Sequence, residues 1–254
     1  MKLVRLTKEN LESEHICCAI SNNKDVQVQS KKAWLSDRLD EGLVFLKGDV
    51  RGKCFIEYLP AEFAWVPVEA EGYIFINCLW VSGKYKGQGN SNLLLEECIR
   101  DSKAKGKNGL CIISSDKKRP FLSDPKYLAY KGFFICDSAE PYFRLMYLPF
   151  DSAASQPKFL PKARLALTDC DGLVIYYTNQ CPFTAKYVPV MCKVAEKMGV
   201  PVKVVKIENL TQAKNTPCAV TSFVLFKDGK YFTNEIFSEK KFTDFCTECK
   251  KAEG

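Results

Sequence analysis

The segment Lys84-Tyr85-Lys86-Gly87-Gln88-Gly89-Asn90-Ser91 places two glycines just ahead of a predicted helix. The N-terminus of a helix carries unpaired backbone N–H groups and a partial positive charge. Glycine lets such a backbone approach an anion closely, so a turn of this kind can bind a phosphate or a pyrophosphate. A tight turn that binds nothing is the other interpretation of the same two glycines.

A second segment with chemical potential is Cys181-Pro182-Phe183-Thr184, between a predicted strand and a predicted helix. A thiol at a helix N-terminus is expected to have a lowered pKa, because the helix end favours the thiolate. No second cysteine follows at the third position, which is Thr184, so Cys181 would act as a single thiol or with a distant partner such as Cys218. A degenerate binding or structural module is the alternative.

A further cysteine pair, Cys246 and Cys249, lies on a predicted helix with two residues between its members. Metal sites of this type usually need four ligands, and no second pair with suitable spacing exists in the sequence. We therefore interpret both as reduced thiols and predict no metal.

Three apolar elements must position the glycine turn. The stretch 72–81 is rich in β-branched and aromatic residues and nearly continuously apolar, which predicts a central strand buried on both faces. An amphipathic helix is predicted over 91–105, and a second buried strand over 109–114. The turn therefore connects a buried strand to a helix.

The remaining pattern predicts two α/β units. In the first we expect helices over 7–19, 30–41 and 125–131, and strands over 2–6, 43–47, 53–59, 133–136 and 142–148. A small, polar segment that ends in proline begins at residue 151 and is the linker candidate. In the second unit we expect strands over 172–178, 202–207, 222–226 and 231–237, and helices over 184–198 and 238–251. Asp228-Gly229 predicts a hairpin between the last two strands.

Composition limits the class of protein. The chain has 254 residues, of which 46% are hydrophobic and 26% charged, as in one or two globular domains. No apolar run is long enough for a membrane span, and the N-terminal residues show no apolar signal region, so we expect a cytoplasmic protein. The thirteen cysteines are an odd number, and several lie in apolar runs, which favours reduced thiols.

The net charge of +7 is spread along the chain rather than clustered. A solvated lysine-rich surface explains it better than nucleic-acid binding, and a mildly basic protein also suits a polyanionic cofactor. Neither a nucleic acid nor a membrane is an expected partner.

The turn from Lys84 to Gly89 resembles the acetyl-CoA motif of the GNAT family: Arg or Gln, two residues, Gly, one residue, then Gly or Ala. Lys84 stands at the Arg or Gln position, and the segment 127–133 is similar to the Tyr…Gly-Phe ending of the GNAT core. The resemblance implies a GNAT acyl-CoA N-acyltransferase fold in residues 1–150, with acetyl-CoA as co-substrate. It implies these cofactor-binding residues: Leu79, Trp80, Val81, Lys84, Gly87, Gln88, Gly89, Asn90 and Ser91.

The implied reaction needs a base to remove the amine proton and an acid to protonate the departing thiolate. Glu57 is our first candidate for the base, because it lies on a predicted central strand; a solvated strand face is the alternative. The family usually supplies the acid from a tyrosine four residues before the glycine of Gly-Phe. That position is Leu128 here, so the candidates are the flanking Tyr127, which we favour, and Tyr130. His15, the one histidine, is expected on the surface or in packing.

The segment 176–184 resembles the strand-to-helix redox turn of glutaredoxins. The whole arrangement resembles bacterial acetyltransferases with a YoaP-like C-terminal domain, which implies a linker over 151–162 and a smaller, thioredoxin-like domain over 163–254. We expect an N-acetyltransferase that moves an acetyl group from acetyl-CoA to a primary amine of a small molecule or peptide, by direct attack. The alternative is a thiol-redox protein that uses Cys181 and whose first half only binds CoA. The acceptor and the oligomeric state cannot be predicted from these residues.

Overall fold

Two large β-sheets flanked by helices, and a small two-stranded sheet, organise the chain in the computed structural model, which describes residues 1–19 and 22–253. The strands are β1 (Leu3–Arg5), β2 (Val44–Gly48), β3 (Cys54–Pro60), β4 (Val68–Glu69), β5 (Tyr73–Val81), β6 (Gly109–Ser115), β7 (Phe134–Ala139), β8 (Phe143–Pro149), β9 (Lys158–Phe159), β10 (Leu173–Tyr177), β11 (Val202–Lys206), β12 (Phe223–Lys227) and β13 (Lys230–Thr233). The helices are α1 (Val26–Leu39), α2 (Asn90–Ala104), α3 (Pro125–Tyr130), α4 (Pro182–Met198), α5 (Leu210–Lys214) and α6 (Glu239–Glu253). No helix in this described part is both long and apolar enough to cross a membrane.

The first sheet has the strand order β1-β2-β3-β5-β6-β8-β7 over the described residues, and its neighbours are antiparallel except for β5 and β6. These two parallel strands pair only from Tyr73 to Phe75 and then separate. Asn77 is an extra residue on β5, because Glu57 faces Cys78 whereas Tyr58 faces Ile76. A bulge of this kind bends a strand and increases its twist. A wedge therefore opens between β5 and β6 beyond Phe75.

Helix α2 covers one face of this sheet and packs against β3, β5 and β6. Its apolar stripe, with Leu94, Leu95 and Cys98, is buried against Ile74 and Leu110 of the central strands. The stripe follows the spacing of a helix that is solvated on its other face. The core on this face fixes the start of α2 relative to the end of β5.

The second sheet has the order β11-β10-β12-β13, with α4 and α6 packed together on one face. Its other face shares one core with the first sheet, since Val174 and Phe226 belong to the same buried cluster as Phe143. The predicted hairpin is confirmed: Asp228 and Gly229 both have positive φ, +49° and +74°, as a type I′ turn requires.

Most predicted elements are confirmed within a few residues, but the helix over 7–19 is wrong. The structure has a chain of turns there. The Asn10 side chain accepts a hydrogen bond from the Thr7 N–H at 2.8 Å and donates to the Arg5 carbonyl at 3.0 Å. Such local bonds compete with those of a helix. Leu11 and Ile16 are buried from these turns, so this segment contributes to the core without forming a helix.

The linker expected over 151–162 includes a structured part. Lys158 and Phe159 form β9, which pairs antiparallel with Val68 and Glu69 of β4. The Phe159 side chain is fully buried in the shared core. This segment is therefore fastened to the first unit. The last predicted strand also ends earlier, at Thr233 rather than residue 237.

Candidate active site

The glycine turn forms an open, positively polarised cradle at the start of α2. Gly87 and Gly89 both have φ of +77°, and Gly89 is the N-cap, where it offers no side chain to the first helical N–H groups. A Cβ at either glycine would meet nothing within 4 Å. The Asn90 side chain donates to the Tyr85 carbonyl at 2.8 Å and fixes the turn. The first-turn N–H groups have no partner within the helix, which suits an anion.

The wedge between β5 and β6 leads to this cradle. Leu79, Trp80 and Val81 pair with β3 on one side, at Ile56, Phe55 and Cys54. On the other side the pairing with β6 has already ended at Phe75, so within the described residues this edge of β5 has no strand partner. An extended ligand with amide groups could add to such an edge as a further strand would.

The wedge continues into a cavity of about 370 Å³ between the two units. Its first-unit walls come from β3, β5, β6 and the loop after β6, and its second-unit walls come from the start of α4 and the residues before β12. Side chains that line it include Phe55, Trp80, Ile113, Phe121, Cys181 and Phe183. The volume is typical of a site for a small ligand.

A buried ion pair forms the polar wall of the cavity. Lys31 of α1 and Glu57 of β3 are 2% and 1% exposed, and their Nζ and Oε2 atoms lie 2.5 Å apart. Asn77 donates from Nδ2 to the other carboxylate oxygen at 2.9 Å. Lys31 also donates to the carbonyl of Gln180 at 2.7 Å, which belongs to the second unit. The pair therefore orients Glu57 and fastens the turn that carries Cys181.

The structure separates the two tyrosine candidates. Tyr127 is half-buried beside the first turn of α2, where its hydroxyl donates a hydrogen bond to Asn92 Oδ1 at 3.4 Å. Burial raises the pKa of Tyr127, so its hydroxyl keeps its proton at neutral pH. Tyr130 is 81% exposed, and neither tyrosine lines the cavity itself. Only Tyr127 of the two lies beside the cradle.

The expected low pKa of Cys181 is wrong. Its thiol is at the N-cap of α4, as predicted, but burial raises its pKa to about 11. The Phe183 N–H favours the thiolate, and desolvation outweighs it. Cys18 and Cys78 line the same cavity, and burial raises the pKa of each. All thirteen cysteines fall within the described residues and are free thiols.

Metal ligands are not assembled anywhere in residues 1–19 and 22–253, where no three histidine, cysteine or acidic side chains could hold an ion together. Cys246 and Cys249 are both buried in the core of the second unit. They serve as small apolar side chains in that core.

Sequence reasoning missed two residues of the cavity wall, Lys31 and Asn77, and one residue behind it, Lys53. Lys31 is a lysine turned inward from α1, and Asn77 is recognisable only from the bulge. Lys53 holds its Nζ 3.9 Å from the centre of the Trp80 ring and 5.4 Å from that of Phe183, and burial lowers its pKa. These contacts join distant parts of the chain, and no local pattern indicates them.

Comparisons with known proteins give one similarity that spans the chain. It is 42% identical over 243 residues to an uncharacterized N-acetyltransferase, YoaP, of Bacillus subtilis (strain 168), which covers 95% of this chain and 97% of the relative. A family described as YoaP-like matches residues 201–243.

Solved structures resemble part of the chain. A GNAT family acetyltransferase from Brucella melitensis, in complex with acetyl-CoA, is 15% identical and has a TM-score of 0.38; the similarity covers 61% of this chain and 91% of that one. PaiA N-acetyltransferase from Thermoplasma acidophilum, in complex with coenzyme A, is 17% identical with a TM-score of 0.40, covering 59% of this chain and all of that one.

Proposed function

The chain belongs to the family of the Bacillus subtilis N-acetyltransferase YoaP, and we propose that it transfers an acetyl group from acetyl-CoA to a primary amine by direct attack. The observation that carries this proposal is the continuity of three features along β5. The cradle at its end, the unpaired edge of Leu79–Val81 and the cavity beyond the Asn77 bulge follow one another on a single strand.

The cradle fits the anionic end of acetyl-CoA. Backbone N–H groups from Gly87 to Ser91 would hold the pyrophosphate, with Lys84 on the same exposed turn. The pantetheine arm would lie along Leu79–Val81, where strand-like pairing is open. Acetyl-CoA supplies the thioester whose carbonyl carbon the amine attacks.

Two side chains have the surroundings that proton transfer needs. Glu57 would accept the proton that the amine loses as the new C–N bond forms, because it is the acidic side chain among the described residues that line the cavity. Lys31 and Asn77 orient its carboxylate. Tyr127, with a raised pKa and a position beside the cradle, would give its proton to the sulfur as the C–S bond breaks. Tyr130, exposed outside the cavity, is the weaker candidate for that acid.

The second unit would complete the acceptor side of the site. We also propose that it is thioredoxin-like, which its strand order and the cysteine at the N-cap of α4 support. The redox alternative gains nothing from the structure, since the Cys181 thiol stays protonated at neutral pH. A cytoplasmic location stays a prediction.

Calorimetric titration of the reduced protein with acetyl-CoA tests the proposal. Gly89→Trp should abolish binding, because its side chain would occupy the open space over the helix start. Gly106→Trp is the matched control: Gly106 ends the turn after α2, has φ of +65°, and a Cβ there would also meet nothing within 4 Å. Both variants carry a backbone strain of about 1–2 kcal/mol, so only the cradle distinguishes them. Equal binding by the two variants, or none by the unmodified chain, would contradict the proposal.

A further inference from the structure

Aromatic rings from both units meet across the cavity. Trp80 of β5 and Phe183 of α4 pack edge to face, with ring centres 6.4 Å apart and planes at 69°. The Lys53 ammonium lies 3.9 Å from the centre of the Trp80 ring and 5.4 Å from that of the Phe183 ring. A cation is attracted to the face of an aromatic ring, so Lys53 holds the two rings at the rim. Trp80 and Phe183 thus form an aromatic wall of the cavity where the two units meet.

A third ring is held at the rim by a strained backbone. Phe121 has φ of +60°, a conformation that bulky residues rarely adopt. Its ring is 48% exposed and lines both the cavity and a neighbouring hollow of about 200 Å³, which Phe183 and Tyr187 also line. Neither a favourable backbone conformation nor burial of the side chain explains why Phe121 lies at the edge of the cavity.

Contacts of the two residues before Phe121 hold the loop in place. The Arg119 guanidinium stacks 3.6 Å from the centre of the Tyr142 ring. The carbonyl of Pro120 accepts a hydrogen bond from Asn234 of the second unit at 3.3 Å. Strain persists where surrounding structure fixes it, and such positions concentrate where ligands bind. The loop therefore presents the Phe121 ring to the cavity.

Two buried side-chain acceptors at the polar end of the cavity have no hydrogen-bond donor among the described residues. In the described part of the chain, Asn77 Oδ1 and Gln180 Oε1 are buried acceptors without a partner. The Asn77 amide is oriented by its donation to Glu57, which leaves its oxygen as an acceptor. Buried acceptors normally have a donor, and a primary amine brings two or three.

Charge argues against an acceptor with several cations. Glu57 is the acidic side chain among the described residues that line the cavity, and Lys31 already neutralises it. The charge at the rim is that of Lys53, which repels a second cation. A long polyamine would find no counter-charge along these walls.

Resting on the proposed acetyl transfer, we infer that the acceptor is a small primary amine with an aromatic body. The ring of the acceptor lies against Trp80, Phe121 and Phe183, and its amino group points to Glu57, Asn77 and Gln180. The amine nitrogen bonds to the acetyl carbon, the thioester C–S bond breaks, and the nitrogen gives up one proton. The second unit, which supplies Phe183 and Gln180, thereby selects the acceptor.

The test compares amines with the reduced, full-length protein in an assay for released CoA thiol. The probes are 2-phenylethylamine and tryptamine against spermidine and a short lysine peptide. We expect the aromatic amines to have at least a tenfold higher kcat/KM, about the range that apolar pocket contacts give. Acetyl-CoA titration of the same preparation is done first, because failure there overturns the proposed function itself. Acetyl-CoA binding together with preferred acetylation of spermidine or the peptide overturns the aromatic acceptor alone.

The variant Phe121→Gly separates the ring from the backbone. Glycine adopts φ of +60° without strain, so the variant should fold at least as well as the unmodified chain. We expect KM for 2-phenylethylamine to rise about tenfold while the affinity for acetyl-CoA is unchanged. Phe134→Ala is the control, since Phe134 is 61% exposed on β7 and does not line the cavity. An unchanged KM in Phe121→Gly would overturn the role of this ring.

Discussion

Replacing Lys31 by methionine should strongly destabilise the protein. The change removes the cation while Glu57 stays buried at 1% exposure, with only Asn77 as a donor to its carboxylate. Removing one partner of a buried ion pair typically costs about 3–5 kcal/mol, because the other charge is left without compensation. The carbonyl of Gln180 also loses its donor, so the turn of the second unit is released.

The consequence can be measured as a shift in unfolding. For a chain of this size, about 1 kcal/mol corresponds to about 2–4 °C in Tm, so Lys31→Met should lower Tm by about 6–20 °C. Urea unfolding of the reduced protein, followed by tryptophan fluorescence, measures the loss of unfolding free energy at about 25 °C directly. Trp80 lines the same cavity as Lys31 and Glu57, so its fluorescence reports on changes at the ion pair as well as on unfolding of the chain.

A double-mutant cycle isolates the interaction. Glu57→Gln removes the negative charge and keeps the shape, so the double variant should be less destabilised than the sum of the single variants. We expect a coupling of about 1–3 kcal/mol. Lys240→Met is the matched control: its pair with Asp244 has an N–O distance of 2.8 Å, but the side chains are 87% and 59% exposed. An exposed pair of this kind contributes at most about 0.5 kcal/mol. Additive single effects, or a loss below about 1 kcal/mol in Lys31→Met, would refute the reasoning.

Tyr127, Cys181 and Phe159 each allow a separate test. Tyr127→Phe should lower kcat about tenfold or more with unchanged acetyl-CoA affinity, whereas Tyr130→Phe, at an exposed position, should match the unmodified chain in the same CoA-release assay. The rate of alkylation of Cys181, followed by peptide mass spectrometry, should increase with pH up to about 11, because burial raises the pKa of this thiol to about 11. A rate that is already constant near neutral pH would mean that the helix start lowers this pKa more than burial raises it. Phe159→Ala should cost about 3–5 kcal/mol in urea unfolding, because the ring is fully buried; a negligible loss would mean that this segment is a free tether.

The sequence was sufficient for the elements that position the cradle. The strand expected over 72–81 is Tyr73–Val81, and the helix expected over 91–105 is Asn90–Ala104. Their signals are continuous apolarity and a helical stripe, which depend on neighbours in the chain. The turns over 7–19 were mistaken for a helix because Thr7 is of a residue type that often caps a helix start. The hydrogen bonds of Asn10 that prevent a helix there have no periodic signature.

Only part of the candidate site could be predicted from the sequence, because its residues come from distant parts of the chain. Glu57 could be suspected from its place on a central strand, but its partner Lys31 lies 26 residues away and the Gln180 carbonyl lies 149 residues from that lysine. Lys31 and Lys32 adjoin each other in the sequence and suggest a solvated helix face, yet both are buried. Which lysine turns inward is decided by the core between the units, and no single-chain pattern encodes that choice.

The pKa of Cys181 is raised, although its position at a helix start predicted a lowered one, and the contacts between the two units explain the difference. A redox thiol at a helix start needs solvent access, since desolvation opposes the thiolate more strongly than the helix end favours it. Here Lys31 donates a hydrogen bond to the Gln180 carbonyl next to Cys181, and Trp80 packs against Phe183, so the first unit covers part of this turn. The contacts that bury the Cys181 thiol and raise its pKa also bring residues of both units together along the cavity. The sheet of the second unit also shares a core with the first unit through Phe226, which fits our proposal that the second unit completes the acceptor side of the site.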